Sequence, residues 1–182
     1  VILNYNFLDK LFNFGKFNFY SNSLIIFSIL LFYLLPFSFY KFDNFKRYVL
    51  NNLNLIISFF IIIFFMFLFD EFINDNLIEF SPNGGGVFMK IAKSLNLNST
   101  FLLSLTSFFS LVIIDFIFKK NRVNNYLLLL LLIVSFPMYT IYQKYFDPLF
   151  YLFFFGLIKS DYVNEIVFKK KINIGFTFFY FL

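Results

Sequence analysis

Residues 101–118 read Phe-Leu-Leu-Ser-Leu-Thr-Ser-Phe-Phe-Ser-Leu-Val-Ile-Ile-Asp-Phe-Ile-Phe, and Lys119, Lys120 and Arg122 follow at once. A run of this length with one charge approaches the ~20 residues that a helix needs to cross ~30 Å of hydrocarbon. A basic cluster directly after it is the usual membrane boundary. The pattern recurs on both sides. Leu24–Tyr40 is entered through Ser21-Asn22-Ser23, which can cap a helix, and is left at Lys41, Lys46 and Arg47. Pro36 near its end is expected to kink it. Leu53–Phe69 stops at the acidic pair Asp70-Glu71, and Tyr126–Tyr142 carries Pro137 inside it. The run Phe146–Ile158 is short, since its 13 residues at ~1.5 Å each make about 20 Å. It is a thin crossing or a re-entrant arm, and Lys159 with Lys169-Lys170-Lys171 after it favours a crossing. Another run begins at Ile172 and continues to Leu182.

These runs predict an all-α fold: a polytopic transmembrane helical bundle of about five to six spans, at 24–40, 53–69, 101–118, 126–142, 146–158 and 172–182. Because the chain starts at Val1 and ends within an apolar run, it is expected to be a fragment of a longer one. Residues 1–20 are too polar to span. Phe7, Leu8, Leu11 and Phe12 share one helical face while Asp9, Lys10 and Asn13 lie elsewhere, which suits an interfacial outer segment.

Composition agrees with the runs. Of 182 residues, 60% are hydrophobic and 14% charged, against about a quarter charged in ordinary soluble domains. The 36 phenylalanines reflect AT-rich codon usage first, since Ala92 is the lone alanine and Arg47 and Arg122 are the only arginines. Cysteine and histidine are both absent, so the chain offers no disulfide, thiolate nucleophile, imidazole base or Cys/His metal site. No cofactor or metal is called for. The net charge of +5 has its source in the loops beside the apolar runs, so no nucleic-acid partner is expected.

Grouping alternate loops places Lys41, Lys46, Arg47, Lys119, Lys120, Arg122, Lys159 and Lys169–Lys171 on one side, read as cytoplasmic by the positive-inside rule. Residues 1–20, the loop 70–100 and the turn near 143–147 then lie outside.

Candidate chemistry follows from that placement. Asp70, Glu71, Asp75 and Glu79 of the outer loop, and Asp147, are the outer-face carboxylates that could supply a general base, because partial burial at a membrane surface lifts a carboxylate toward its working range. The alternative for Asp70 and Glu71 is the solvated end of a helix. Ser81-Pro82-Asn83-Gly84-Gly85-Gly86 leads into Val87–Leu95, where Val87, Phe88, Ile91 and Leu95 recur at helical spacing and Lys90 and Lys93 take another face. A glycine turn feeding a short basic helix can hold a phosphate; it can equally be a turn before an interfacial helix. The stretch Pro137–Pro148 gathers Tyr139, Tyr142, Gln143, Lys144, Tyr145 and Asp147 at one interface, as a substrate-binding surface or as an aromatic belt. Asp115, the one carboxylate inside a run, is expected to pair with Lys119 four residues on. Ser104, Thr106, Ser107 and Ser110 read as a surface for close helix packing.

The Pro137–Pro148 stretch and the Asn83-Gly84-Gly85-Gly86 loop resemble polytopic membrane proteins of AT-rich bacteria, and more distantly the chain over residues 80–158 is similar to multi-span glycosyltransferases that use polyprenyl-phosphate sugars. The resemblance implies a membrane transferase of envelope glycan assembly, placed in the bacterial inner membrane. Its partners would be the lipid bilayer and a polyprenyl-phosphate sugar. Such enzymes usually carry an essential Asp or Glu in the first outer loop, which has no matched position here, so the candidates come from the residues themselves: Asp70, Glu71 or Asp147 catalytic and Lys90, Lys93, Tyr139, Tyr142, Gln143 and Lys144 binding substrate. The rival expectations are a non-enzymatic subunit of a larger membrane complex, such as an organelle-encoded respiratory-chain component, and a transporter fragment.

Overall fold

The structure, a computed structural model, describes residues 19–40, 42–72, 86–135, 141 and 143–165, with the backbone alone given at 37, 40, 69–72, 145 and 147. Every regular element among the described residues is helical. In chain order these are α1 (Phe19–Tyr40), α2 (Phe42–Asn51), α3 (Leu53–Phe72), α4 (Gly86–Ser94), α5 (Ser99–Phe118), α6 (Arg122–Val134), α7 (Gln143–Tyr151), a π-helical stretch (Leu152–Leu157) and α8 (Asp161–Asn164).

The core is the contact of α1 with α5. Leu24, Ile26, Ile29, Leu30 and Leu34 of α1 are buried together with Leu103, Ile114, Ile117 and Phe118 of α5. Small residues make the approach close: Ser104, Thr106, Ser107 and Ser110 are all buried, and the Ser107 hydroxyl donates to the Leu24 carbonyl at 2.8 Å. Asn98 starts α5, its side-chain oxygen accepting from the Phe101 N–H at 2.9 Å. The opposite holds for α3. Leu53, Ile57, Phe60, Ile61, Phe64 and Phe65 are exposed and, among the side chains described on this helix, Ile63 alone is buried, as expected of an apolar helix that faces a nonaqueous medium or a partner.

Two helices, at Phe19–Pro36 and Ser99–Phe118, are long and apolar enough to cross a membrane. A third is added if α2 and Leu53–Leu68 count as one span, although they meet at 84°. The bend falls at Asn51-Asn52, where the Asn52 amide donates to the Tyr48 carbonyl at 2.8 Å and so takes over a helical backbone acceptor. This is fewer than the five to six spans expected, and the run at 172–182 and residues 1–18 of the expected interfacial segment lie outside the described residues.

Several local expectations are corrected. Ser21, Asn22 and Ser23 do not cap α1: they are buried inside it, with the Ser23 hydroxyl donating back to the Phe19 carbonyl at 2.6 Å. The fourth run starts earlier, at Arg122, and its helix stops at Val134, two residues short of the residue that Pro137 biases away from helix. Gln143–Tyr151 is helix, not turn, and continues through Pro148. The reason is burial: Phe146, Phe150 and Phe154 recur at helical spacing, and Phe150 stacks on Tyr33 of α1 at 4.6 Å between ring centroids. Past Tyr151 the run widens into the π-helical stretch, closed by the Ile158 N–H on the Phe153 carbonyl.

Candidate functional site

Asp115 lies one turn before the end of α5 and is 1% exposed. A buried carboxylate is stable only when it is paired and hydrogen-bonded, and three side chains meet that need. The Tyr126 hydroxyl donates to Oδ1 at 2.8 Å, while Arg122 Nη2 at 3.1 Å and the Tyr48 hydroxyl both reach Oδ2. Arg122 Nη2 also lies 3.3 Å from the Tyr48 oxygen, so the group is one connected cluster. It ties α2, α5 and α6 together at a single point. The expected Asp115–Lys119 pair is not formed. The Lys119 backbone keeps helical angles, but its side chain lines the cleft on the far side of the cluster, while the chain turns through residues 119–121 and Arg122 and Tyr126, four apart on α6, come back onto the carboxylate. The Tyr48 phenol, on the amphipathic helix α2 outside the apolar spans, is held well above its ordinary range, by burial first and then by the hydrogen bond and charge of Asp115. It therefore stays a neutral donor.

Two openings flank this cluster. One is a cleft of about 810 Å³ between α2, the end of α5 and α8, lined by Asn44, Arg47, Tyr48, Asn51, Asn52, Lys119, Lys120 and Tyr162 among others. Lys120 pairs there with Asp161 at 2.8 Å, both side chains being well exposed. The other is an apolar groove of about 470 Å³ lined by Leu55 and Phe59 of α3 and by Val123, Leu127 and Leu130 of α6, with Asp115, Arg122 and Tyr126 at its polar end. The same end is fastened by two further contacts. The buried Asn125 side chain exchanges bonds with the Lys159 backbone, 3.3 Å in each direction, and the Ser160 hydroxyl donates to the Ile117 carbonyl at 2.6 Å.

The residues that the sequence singles out lie toward another part of the fold. Gln143 Oε1 accepts from the Val87 N–H at 3.0 Å, which joins the start of α4 to the start of α7. Gly86 is required at that joint. Its φ is +76°, and a Cβ there would stand 2.8 Å from Ile29 Cγ1 and 3.2 Å from Gln143 Oε1. On α4 the buried residues are Gly86, Met89 and Ala92; of the apolar residues read at helical spacing, Val87 and Phe88 are half-buried and Ile91 and Leu95 are exposed, as are Lys90 and Lys93. Lys144 is exposed on α7. Asp70 and Glu71 fall in the last turn of α3 and Asp147 on α7, by their backbone positions. Asp75, Glu79, Tyr139 and Tyr142 lie outside the described residues. The structure thus brings Gln143 to the glycine-fed helix.

Sequence pattern names none of Tyr48, Arg122 and Tyr126 as partners of Asp115. The available signal was Asp115 itself, a carboxylate in an apolar run beside one of two arginines in the chain. Arginine's planar fork suits a buried carboxylate better than a lysine does.

Comparison of the chain with protein-family models, with curated proteins and with solved structures finds no match.

Proposed function

We propose that this chain is an integral membrane protein of five to six crossings that handles a lipid-phosphate-linked sugar, as a glycosyltransferase-like enzyme of envelope glycan assembly in a bacterial inner membrane. The observation that carries the reading is the Val87–Gln143 hydrogen bond. It ties the first turn of the helix bearing Lys90 and Lys93 to the first residue of the helix bearing Lys144 and Asp147, so that the starts of the two elements are linked. Further support comes from the apolar helices around them, which suit a lipid substrate. In the proposed reaction an outer carboxylate, Asp147 or one of Asp70 and Glu71, takes the proton of an acceptor hydroxyl. That oxygen forms the new bond to the anomeric carbon with inversion, the bond to the phosphate oxygen breaks, and the lipid phosphate leaves. Lys90, Lys93 or Lys144 offsets the charge that develops on it.

A second reading, a non-enzymatic subunit of a larger membrane assembly, is favoured by the uncovered apolar face of α3. One experiment separates the two. Purified protein is irradiated with a photoreactive polyprenyl phosphate, and adducts are mapped by proteolysis. The transferase reading expects adducts on residues 86–95 or 143–151, reduced at least about tenfold in a Lys144→Ala, Asp147→Ala double variant that still inserts into membranes, as loss of a charge-assisted phosphate contact requires. Equal labelling of the double variant, or no adduct on either segment, would sink it in favour of the subunit.

A further inference from the structure

The end of the molecule opposite the Val87–Gln143 joint carries a feature that the proposed transfer reaction does not use. Arg47, Lys119 and Lys120 line one cleft together with the amide side chains of Asn44, Asn51 and Asn52. Such a set supplies cations and neutral donors, the groups that recognise a phosphate's oxygens. Two carboxylates line the cleft as well: Asp161 is engaged by Lys120 at 2.8 Å and Glu165 has an interaction of its own, so three cations face two carboxylates and the cationic excess rests with Arg47 and Lys119. Among the described residues neither Arg47 nor Lys119 has an acidic side chain within ion-pair distance.

The apolar groove lies on the other side of the Asp115 cluster. Tyr48 lines the cleft, Arg122 lines the groove, and the two are hydrogen-bonded to each other at 3.3 Å, so one small polar partition separates the two openings. Arg122 is also under-used: its Nε is buried with no hydrogen-bond partner. A polar cleft would suit any phosphate, and an apolar groove any hydrocarbon. Their adjacency across a single arginine selects a molecule that has both.

We infer that this end of the protein is a binding site for an anionic phospholipid, with its phosphate against Arg47 and Lys119 in the cleft and one hydrocarbon chain in the groove between α3 and α6. Helix α3, which lines the groove with Leu55 and Phe59, leaves α2 at 84°. The site lies apart from the α4–α7 joint and stands whether or not the transfer reading holds.

The test is native mass spectrometry of the full chain in detergent, offered equal amounts of dioleoyl phosphatidic acid and dioleoyl phosphatidylcholine. The wild-type protein is expected to retain phosphatidic acid selectively. An Arg47→Gln, Lys119→Gln double variant is expected to lose that retention by about thirtyfold, the scale set by two basic residues near an anionic lipid. A Lys46→Gln, Lys159→Gln double variant removes the same net charge from positions that do not line the cleft and is expected to retain the lipid. Leu130→Trp fills the groove and is expected to weaken retention as well, and each variant's thermal unfolding is compared with wild type to confirm that it folds. Equal retention of the two lipids, or equal losses in both glutamine double variants, would show general attraction to basic loops and overturn the site. Soluble glycerol 3-phosphate displacing the lipid at equal concentration would overturn the groove half, leaving a plain phosphate site.

Discussion

At the scale of single residues, Asp115 concentrates the largest electrostatic stake in the described part of the chain. It has three donors, from α2 and α6, on two oxygens. Replacing it by Asn keeps the shape but leaves the Arg122 guanidinium beside a neutral amide whose N–H2 cannot accept from the tyrosines. Breaking a buried pair costs about 3–5 kcal/mol; with the Arg122 side chain 39% exposed, solvent returns part of that, so about 2 kcal/mol is expected for Asp115→Asn. Adding Arg122→Gln to it should then cost less than the two single changes summed. Lys119→Ala, by contrast, should stay within about 0.5 kcal/mol of wild type, as an exposed residue with no structural partner does. Reversible unfolding in mixed micelles reads all four variants against wild type. A Lys119→Ala loss as large as that of Asp115→Asn would restore the i, i+4 pair and remove the cluster.

At the scale of elements, α4 shows how a nine-residue helix, too short to be stable alone, is held in place. Its first residue must be glycine for two separate reasons, the positive φ and the contact with Ile29 of α1. Met89 and Ala92 then bury against the bundle, and the Val87 N–H, unpaired within its own helix at this position, finds Gln143. Gly86→Ala is expected to cost about 2 kcal/mol or more, combining left-handed strain with a clash that Ile29 cannot fully relieve. Amide exchange should rise first across residues 87–94 and 143–146, since both helices lose the same joint. Unchanged protection there in Gly86→Ala would show that α4 is held by other means.

At the scale of the whole molecule, the basic loops meet. Tyr48 beside Arg47, Asp115 beside Lys119, Arg122, and Asn125 bonded to the Lys159 backbone all lie at one end, while Val87 and Gln143 join elsewhere. If the molecule resides in a membrane as proposed, the positive-inside rule puts the first group on the cytoplasmic side. The absence of cysteine makes this simple to test. In right-side-out vesicles an impermeant thiol reagent should label Ser94→Cys and spare Asn44→Cys until the bilayer is permeabilised. Both positions are exposed, so accessibility within the fold does not confuse the result. Labelling of Asn44→Cys from outside would reverse the orientation and exchange the sides assigned to the two sites.

Much of the helical content was legible from the chain alone, because an apolar run closed by charge is a local pattern: Ser99–Phe118 and Leu53–Phe72 occupy the runs read at 101–118 and 53–69. The short helix at Gly86–Ser94 was legible too, through a glycine turn and a 3.6-residue period. Which face of that helix packs was not, since in a chain that is 60% hydrophobic both faces of a short helix carry apolar residues and burial alone chooses between them. The helical course of Gln143–Tyr151 through Pro148 was hidden for a similar reason: the phenylalanines that drive it gain their energy from Tyr33 and Phe118, which are distant in sequence. Sequence flagged Asp115 correctly as a charge that needs a partner and chose the partner by helical spacing. Only the chain reversal after Phe118, together with the placement of α2 from 67 residues away, decided that the partners are Arg122, Tyr126 and Tyr48. Hydrogen bonds to a buried carboxylate are selected by three-dimensional proximity, and spacing along one helix names a neighbour on that helix without ranking it against donors brought in by other elements.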